Sequence, residues 1–328
     1  MKILFMGTPD FAVFSLRAMV EAGENVAGVV TQPDQPKGRG YVMTPPPVKV
    51  YAMEHGIPVY QPETLRNGAF EKELGEIAPD LIVVTAYGKI LPQYVLDAPR
   101  MGCVNVHASL LPAYRGAAPM QRAIMDGQAQ TGVTTMMMDA GLDTGDVLLQ
   151  GVVPIGENDN FETVHDNMGK VGADVLLRTL DAFRAGSVKR VPQDGSKSTY
   201  AAKIEKSDCV IDFSRSAEEV HNQIRGLSPV PLAFTRLPNG KLLKIVFSTI
   251  ADKTAVLAPA GTVVALANGA ITVACGRGAV NLTEVVPEGK SRMSAAAFIN
   301  GRNICTGEVL GESESRAGKS PDCSTDEF

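Results

Sequence analysis

Two residues on one short apolar run, Asn105 and His107 in Gly102-Cys103-Val104-Asn105-Val106-His107, are spaced to act on a single substrate. Side chains two apart on a strand leave the same face, so this pair projects side by side while Val104 and Val106 face the layer beneath. An imidazole can carry or hold a proton near neutral pH, and an amide N–H is a donor for an oxygen that gains negative charge. The missing partner is a carboxylate, and the Gly-rich stretch from Met136 to Leu148 offers Asp139, Asp143 and Asp146. Asp143, between Gly141 and Gly145, has the most freedom to turn inward. A carboxylate beside a histidine fixes its tautomer and orientation, so Asn105, His107 and Asp143 together fit acyl transfer with the nucleophile supplied by the substrate.

Other stretches carry weaker signals. The turn Gly7-Thr8-Pro9-Asp10-Phe11 has a single glycine, so the GxGxxG fingerprint is absent and a nicotinamide or flavin site is disfavoured. A tight strand-to-helix turn and a substrate contact both remain open for it. Residues 32–49 are Pro-rich and carry Lys37, Arg39 and Lys49 against Asp34 alone. This segment is expected to lack regular structure, either as a surface excursion or as a basic loop that closes on a phosphate-bearing partner. His55, His165 and His221 have no suggestive neighbours in the sequence, and Met136 to Met138 reads as core strand. Arg115 and Gly116 are expected to serve only the turn toward the next helix.

The elements that must position these groups follow from hydrophobic period. Strand-like runs at Ile3–Met6, Val26–Thr31 and Leu81–Thr85 alternate with helix-like stretches at Phe11–Ala22, Val48–Glu54 and Gln93–Ala98. Such alternation predicts a doubly wound, mostly parallel α/β sheet with helices on both faces. Pro119–Met125 reads as a helix, Val133–Met138 as a strand, and Thr163–Phe183 as a long helix closing the domain. After a Gly-, Pro- and Ser-containing stretch comes a helix at Ala217–Arg225. Short strands follow at Ala233–Leu237, Leu242–Ser248, Gly261–Leu266, Ala270–Ala274 and Val280–Val286, the pattern of a smaller OB-like β-barrel. The expected boundaries are 1–189 for a catalytic domain, 190–207 for a linker, 208–310 for the β domain and 311–328 for a disordered tail.

Composition narrows the class further. The net charge is -5, yet residues 200–310 hold 12 Lys and Arg against 9 Asp and Glu, so the β domain is mildly basic within an acidic chain. Five cysteines without a CxxC pair argue against a structural zinc and point to a reducing, cytoplasmic setting. No apolar run approaches the roughly 20 residues that a membrane helix needs.

At the level of motifs, the chain resembles the folate-dependent formyltransferases, and within them the enzymes that formylate methionyl initiator tRNA. The similarity spans about residues 1–310 and rests on GTPDF (7–11), TQPDQPKGRG (31–40), AYGKILP (86–92), NVHASLLPAYRGAAPMQR (105–122) and GLDTGDVL (141–148). The resemblance implies that Asn105, His107 and Asp143 form the catalytic set. It further implies that Ser109, Leu110, Leu111 and Pro112 bind tetrahydrofolate, that AYGKILP edges the pterin pocket, and that Arg39 senses tRNA. The implied reaction moves a formyl group from 10-formyltetrahydrofolate to aminoacylated initiator tRNA, in a cytoplasmic monomer with no membrane partner. One departure stands out: Val230, in Leu227-Ser228-Pro229-Val230-Pro231, occupies a position where the family implies an aromatic, and the chain has no Trp. Alternatives are a formyltransferase for another amine, a formyltetrahydrofolate hydrolase, and a non-catalytic RNA-binding module.

Overall fold

The structure is a computed structural model and describes residues 1–37 and 40–311. In chain order its elements begin β1 (Lys2–Gly7), α1 (Asp10–Glu21), β2 (Asn25–Val30), β3 (Gln35–Lys37), β4 (Val42–Thr44), α2 (Pro47–Glu54) and β5 (Val59–Tyr60). They continue α3 (Glu71–Ile77), β6 (Leu81–Thr85), α4 (Gln93–Asp97), β7 (Cys103–His107), β8 (Arg115–Gly116), α5 (Pro119–Met125), β9 (Gln130–Met137), β10 (Val147–Pro154) and α6 (Phe161–Arg184). The rest is β11 (Tyr200–Ala201), α7 (Ala217–Gly226), β12 (Ala233–Arg236), β13 (Leu242–Asp252), β14 (Val263–Ala267), β15 (Ala270–Ala274), β16 (Ala279–Pro287), β17 (Met293–Ser294) and α8 (Ala295–Asn300). Two compact units result. The first comprises Met1–Pro119, Gln130–Pro154 and His165–Ala201, and the second Met120–Ala129, Ile155–Val164 and the chain from Ala202 onward.

The first unit is built on a seven-stranded sheet in the order β10-β9-β7-β6-β1-β2-β5. Strands β5, β2, β1, β6 and β7 run parallel, whereas β9 pairs antiparallel with both β7 and β10. Central β1 and β6 are unbroken apolar runs, with Ile3 to Met6 and Leu81 to Val84 buried, because both faces of an inner parallel strand are covered. Edge strand β10 instead alternates buried and more exposed residues, the mark of one covered face. From β1 the chain winds outward through β2 to β5, then restarts at β6 and winds the other way, so the topological switch lies between β1 and β6. Helix α6 lies across β10, β9 and β7: a side chain added at Gly151 would strike Val171 and Val175, and one at Gly172 would press on Val133 and Val106.

One expectation is corrected here. Residues 32–49 are not wholly irregular, since Gln35–Lys37 pairs antiparallel with Val42–Thr44 in a short hairpin. Its base is pinned by Lys49, which bonds Asp34 at 2.8 Å, and by Gln61, which donates to the same carboxylate.

In the second unit an antiparallel sheet runs β12-β13-β16-β15-β14, with β17 added to β16. Among the described residues β12 and β14 are not hydrogen-bonded to each other, so the OB-like sheet is not closed through its ends. Helix α7 packs its buried face of Val220, Ile224 and Ala217 into the same core as Leu243, Ile245, Val280 and Leu282. Its start is set by a capping box in which Ser216 and Glu219 exchange hydrogen bonds, and those bonds hold the Glu219 carboxyl down at about 2.

Candidate active site

Strand β7 delivers Asn105 and His107 as the period-two pattern requires, with Val104 and Val106 buried on the opposite face. The Asn105 side chain is half-buried and makes no hydrogen bond to any described residue. His107 is buried, and its Nε2 lies 3.0 Å from the carbonyl oxygen of Tyr114. A carbonyl only accepts, so Nε2 carries a proton and Nδ1 is turned the other way. There it meets Asp143, whose Oδ1 is 3.6 Å from Nδ1, with only 7% and 12% of the two side chains exposed. The three residues expected to do chemistry therefore converge, although the His–Asp distance is an ion-pair separation and longer than a hydrogen bond.

Asp143 reaches this position from the loop after β9. That loop leaves the sheet beside Cys103, where the Met138 N–H donates to the Cys103 carbonyl at 2.8 Å. Asp139 ties its first half by accepting from the Gly141 N–H and the Thr144 hydroxyl. At Gly145 an added Cβ would lie 1.8 Å from the Met137 carbonyl oxygen, so only glycine lets the loop fold back against its own strand. Asp143 itself has φ +52°, a left-handed conformation that Asp and Asn tolerate better than most residues. Its Oδ2 accepts from the Gly116 N–H at 2.9 Å.

The turn from Ser109 to Gly116 is stiff because its polar groups are spent on the protein. Thr134 Oγ1 donates to the Ser109 carbonyl and accepts from the Leu111 N–H, and Gln150 donates to the Leu111 carbonyl. The Ser109 hydroxyl donates to the Ala113 carbonyl at 2.6 Å. Of the expected folate-binding residues, Ser109 and Leu111 are buried, whereas Leu110 and Pro112 are half-buried. Past the turn, β8 pairs parallel with β11, and Gly116 has φ +116° with Tyr200 and the Ala201 carbonyl against it. A Cβ there would come within 2.8 Å of that carbonyl, so the glycine both permits the pairing and aims its N–H at Asp143.

Arg115 and Gln193 also belong to this site, and spacing alone did not find them. Gln193 donates to the carbonyls of Asp143 and Gly145 at 2.9 and 2.7 Å, while Arg115 donates to the Gln193 Oε1 through Nε and Nη2. Gln193 falls in a stretch without hydrophobic period, where nothing in the sequence marks one amide over another.

Around the switch point, Thr8 Oγ1 and Gln32 Nε2 both donate to the Tyr87 carbonyl, which joins the GTPDF turn to the AYGKILP segment. The Tyr87 side chain is buried, and burial pushes its hydroxyl up to about 12. Arg39 lies outside the described residues. Nearby, Tyr41, Val42 and Met43 are exposed to solvent. His165 has closer neighbours than the sequence suggested: Asp166 at 2.9 Å and Asp10 at 3.5 Å, with the Asp10 hydrogen bond the main reason its imidazole is raised. His221 is buried between Ser248 and the Glu157 carbonyl, and burial lowers it. Among the described residues no cluster of His, Cys, Asp or Glu could hold a metal ion.

A doubly wound sheet that carries Asn105 and His107 on one inner strand, with Asp143 brought to them by the loop after β9, defines the class. Residues 1–180 match the family described as "Formyl transferase", and residues 203–303 match "Formyl transferase, C-terminal domain". Solved structures agree on the fold: an N-formyltransferase from Helicobacter canadensis superposes with TM-score 0.63 at 20% identity, covering 86% of this chain and 98% of that one. HypX from Aquifex aeolicus in complex with tetrahydrofolic acid superposes with TM-score 0.61 at 19% identity, covering 91% of this chain and 47% of that one. Sequence relatives narrow the class. A methionyl-tRNA formyltransferase from Symbiobacterium thermophilum is 51% identical, with 94% of each chain covered. Another, from Pelobacter propionicus, is 48% identical over 94% of this chain and 96% of its own. The chain belongs to the methionyl-tRNA formyltransferase family.

Proposed function

We infer that this chain transfers a formyl group from 10-formyltetrahydrofolate to the amino group of methionyl initiator tRNA, with Asn105, His107 and Asp143 as its catalytic residues. The observation that carries the residue assignment is the Asn105 amide, without a hydrogen-bond partner among the described residues, beside a buried histidine whose second nitrogen faces a carboxylate. This donor set suits a carbonyl oxygen that becomes an oxyanion. In this reading the substrate amine attacks the formyl carbon, and the Asn105 amide and the His107 Nε2 proton are offered to the oxygen that gains charge. That Nε2 proton is donated to the Tyr114 carbonyl here, so an entering oxygen competes with Tyr114 for it. Asp143 holds the ring and stabilises positive charge on it. As the bond from the formyl carbon to the folate nitrogen breaks, the proton lost by the amine passes to that nitrogen.

For the folate itself, Ser109 to Pro112 form a fixed wall in which Leu110 and Pro112 remain partly accessible, and Ala86 to Pro92 line the switch point. Residues 1–189 serve as the catalytic domain and 208–310 as the tRNA-binding domain. The separate family matches to 1–180 and 203–303 and the surplus of basic over acidic residues in 200–310 support this division. Arg39 is assigned to tRNA contact on the strength of the basic segment around it. The decisive assay compares formyl transfer to charged initiator tRNA, uncharged tRNA and free methionine. Rapid tetrahydrofolate release without any amine would instead establish a hydrolase.

A further inference from the structure

A set of hydrogen bonds stands behind the catalytic carboxylate, and every polar atom of one glutamine is used in it. The Gln193 Nε2 donates to the Asp143 carbonyl at 2.9 Å and the Gly145 carbonyl at 2.7 Å. Its Oε1 accepts from Arg115 Nε at 3.1 Å and Nη2 at 2.7 Å. The orientation of the amide is fixed by chemistry, since a guanidinium only donates and a backbone carbonyl only accepts. Arg115 forms no ion pair with any described carboxylate, so its charge serves to lock a neutral amide.

The two ends of this clamp bear on the two partners of His107. Arg115 lies between Tyr114, whose carbonyl accepts from the His107 Nε2–H, and Gly116, whose N–H donates to Asp143 Oδ2. Thr199 fixes that strand from the far side: its hydroxyl accepts from the Tyr114 N–H and its carbonyl from the Arg115 N–H. On the other end, the clamped carbonyls belong to Asp143 itself, at φ +52°, and to Gly145 just beyond it. A strained residue keeps its conformation only when its surroundings over-determine it.

We propose that Gln193, oriented by Arg115, is a positioning residue for formyl transfer, setting where the Asp143 carboxylate stands relative to His107. This rests on Asp143 and His107 being catalytic, as above. Gln193 touches no reacting atom and acts through the placement of Asp143.

The test uses the full chain and steady-state formylation of methionyl-tRNA. Gln193→Glu keeps an acceptor for Arg115 but sets a carboxylate against two carbonyls, and Gln193→Ala removes the clamp. Both should lower kcat by about 10- to 100-fold, with KM for each substrate within about threefold of the parent, because misplacement by an ångström acts on the chemical step. In a double-mutant cycle, Gln193→Glu placed on Asp143→Asn should cause little further loss, since both changes act on one interaction. Should a Gln193 variant fail to fold, Arg115→Lys, which keeps the charge and breaks the two-point fork, should show the same fall in kcat. The proposal is overturned if kcat stays within about threefold, if the loss appears in KM alone, or if the losses multiply in the double mutant. Activity retained by both His107→Ala and Asp143→Ala would instead overturn the catalytic assignment on which it rests.

Discussion

Replacing Asp143 by Asn isolates the electrostatic part of the site. Asn keeps an oxygen that can accept from the Gly116 N–H, and it tolerates the left-handed φ of +52° about as well as Asp, so the loop is retained. What it removes is a negative charge 3.6 Å from His107 Nδ1. With both side chains this far buried, an effective dielectric of about 20 is appropriate, and attraction between a unit charge on the ring and the carboxylate is then about 4 to 5 kcal/mol. In this reading the ring carries its charge when the Nε2 proton meets the oxyanion, so losing the attraction weakens that interaction and corresponds to about a thousandfold in kcat. Single-turnover formylation with saturating donor measures it, with the thermal midpoint as a check on the fold. A kcat within about tenfold of the parent, in a variant that melts normally, would refute the reasoning, because the carboxylate's charge would then not be what His107 needs.

The other predictions touch separate parts of the structure. Gly116→Ala forces a side chain against the Ala201 carbonyl at a positive φ, and should destabilise the fold by about 1 to 3 kcal/mol in urea titrations while lowering kcat at least about tenfold through the displaced N–H. Arg39→Ala should leave donor KM unchanged and weaken use of methionyl-tRNA, with a salt dependence shallower by roughly one phosphate contact; normal tRNA use at every salt concentration would remove Arg39 from the interface. His221 is held neutral by burial, so its folded pKa lies below the ordinary 6.5 and its contribution to stability is present above that value. This contribution is lost as pH falls from 6.5 through the lower folded value, and the denaturation midpoint should drop over that window in the parent and less in His221→Gln. Burial pushes the Cys103 thiol up to about 12, so alkylation mapped by mass spectrometry should find it unreactive at pH 8 in the native protein and reactive in urea.

Periodicity made much of the architecture legible. The expected helix at Pro119–Met125 and the strands at Leu81–Thr85 and Ala270–Ala274 coincide with the observed elements, the strands carrying the β-branched residues that fit a pleated sheet. The Pro-rich segment was harder to read. Proline and glycine signal a break in regular structure, yet Gln35–Lys37 pairs with Val42–Thr44 above a base where Lys49 and Gln61, from outside the pair, bond Asp34. His165 has no partner in its sequence neighbourhood apart from Asp166, yet its Asp10 partner is brought to it by the packing of α1 beside α6.

The sequence by itself determined which groups can do chemistry. The spacing of Asn105 and His107 on a strand puts them on one face whatever surrounds them, and the glycines around Asp143 allow a turn found in few other backbones. Tertiary structure decided how those groups are held: that Asp143 meets Nδ1 and not Nε2, that Tyr114 takes the other proton, and that Arg115 and Gln193, 78 residues apart in sequence, lock the loop. The physical reason is range. A strand's period is a local property that the backbone enforces residue by residue, whereas a hydrogen bond between distant side chains exists only after packing has brought their elements together.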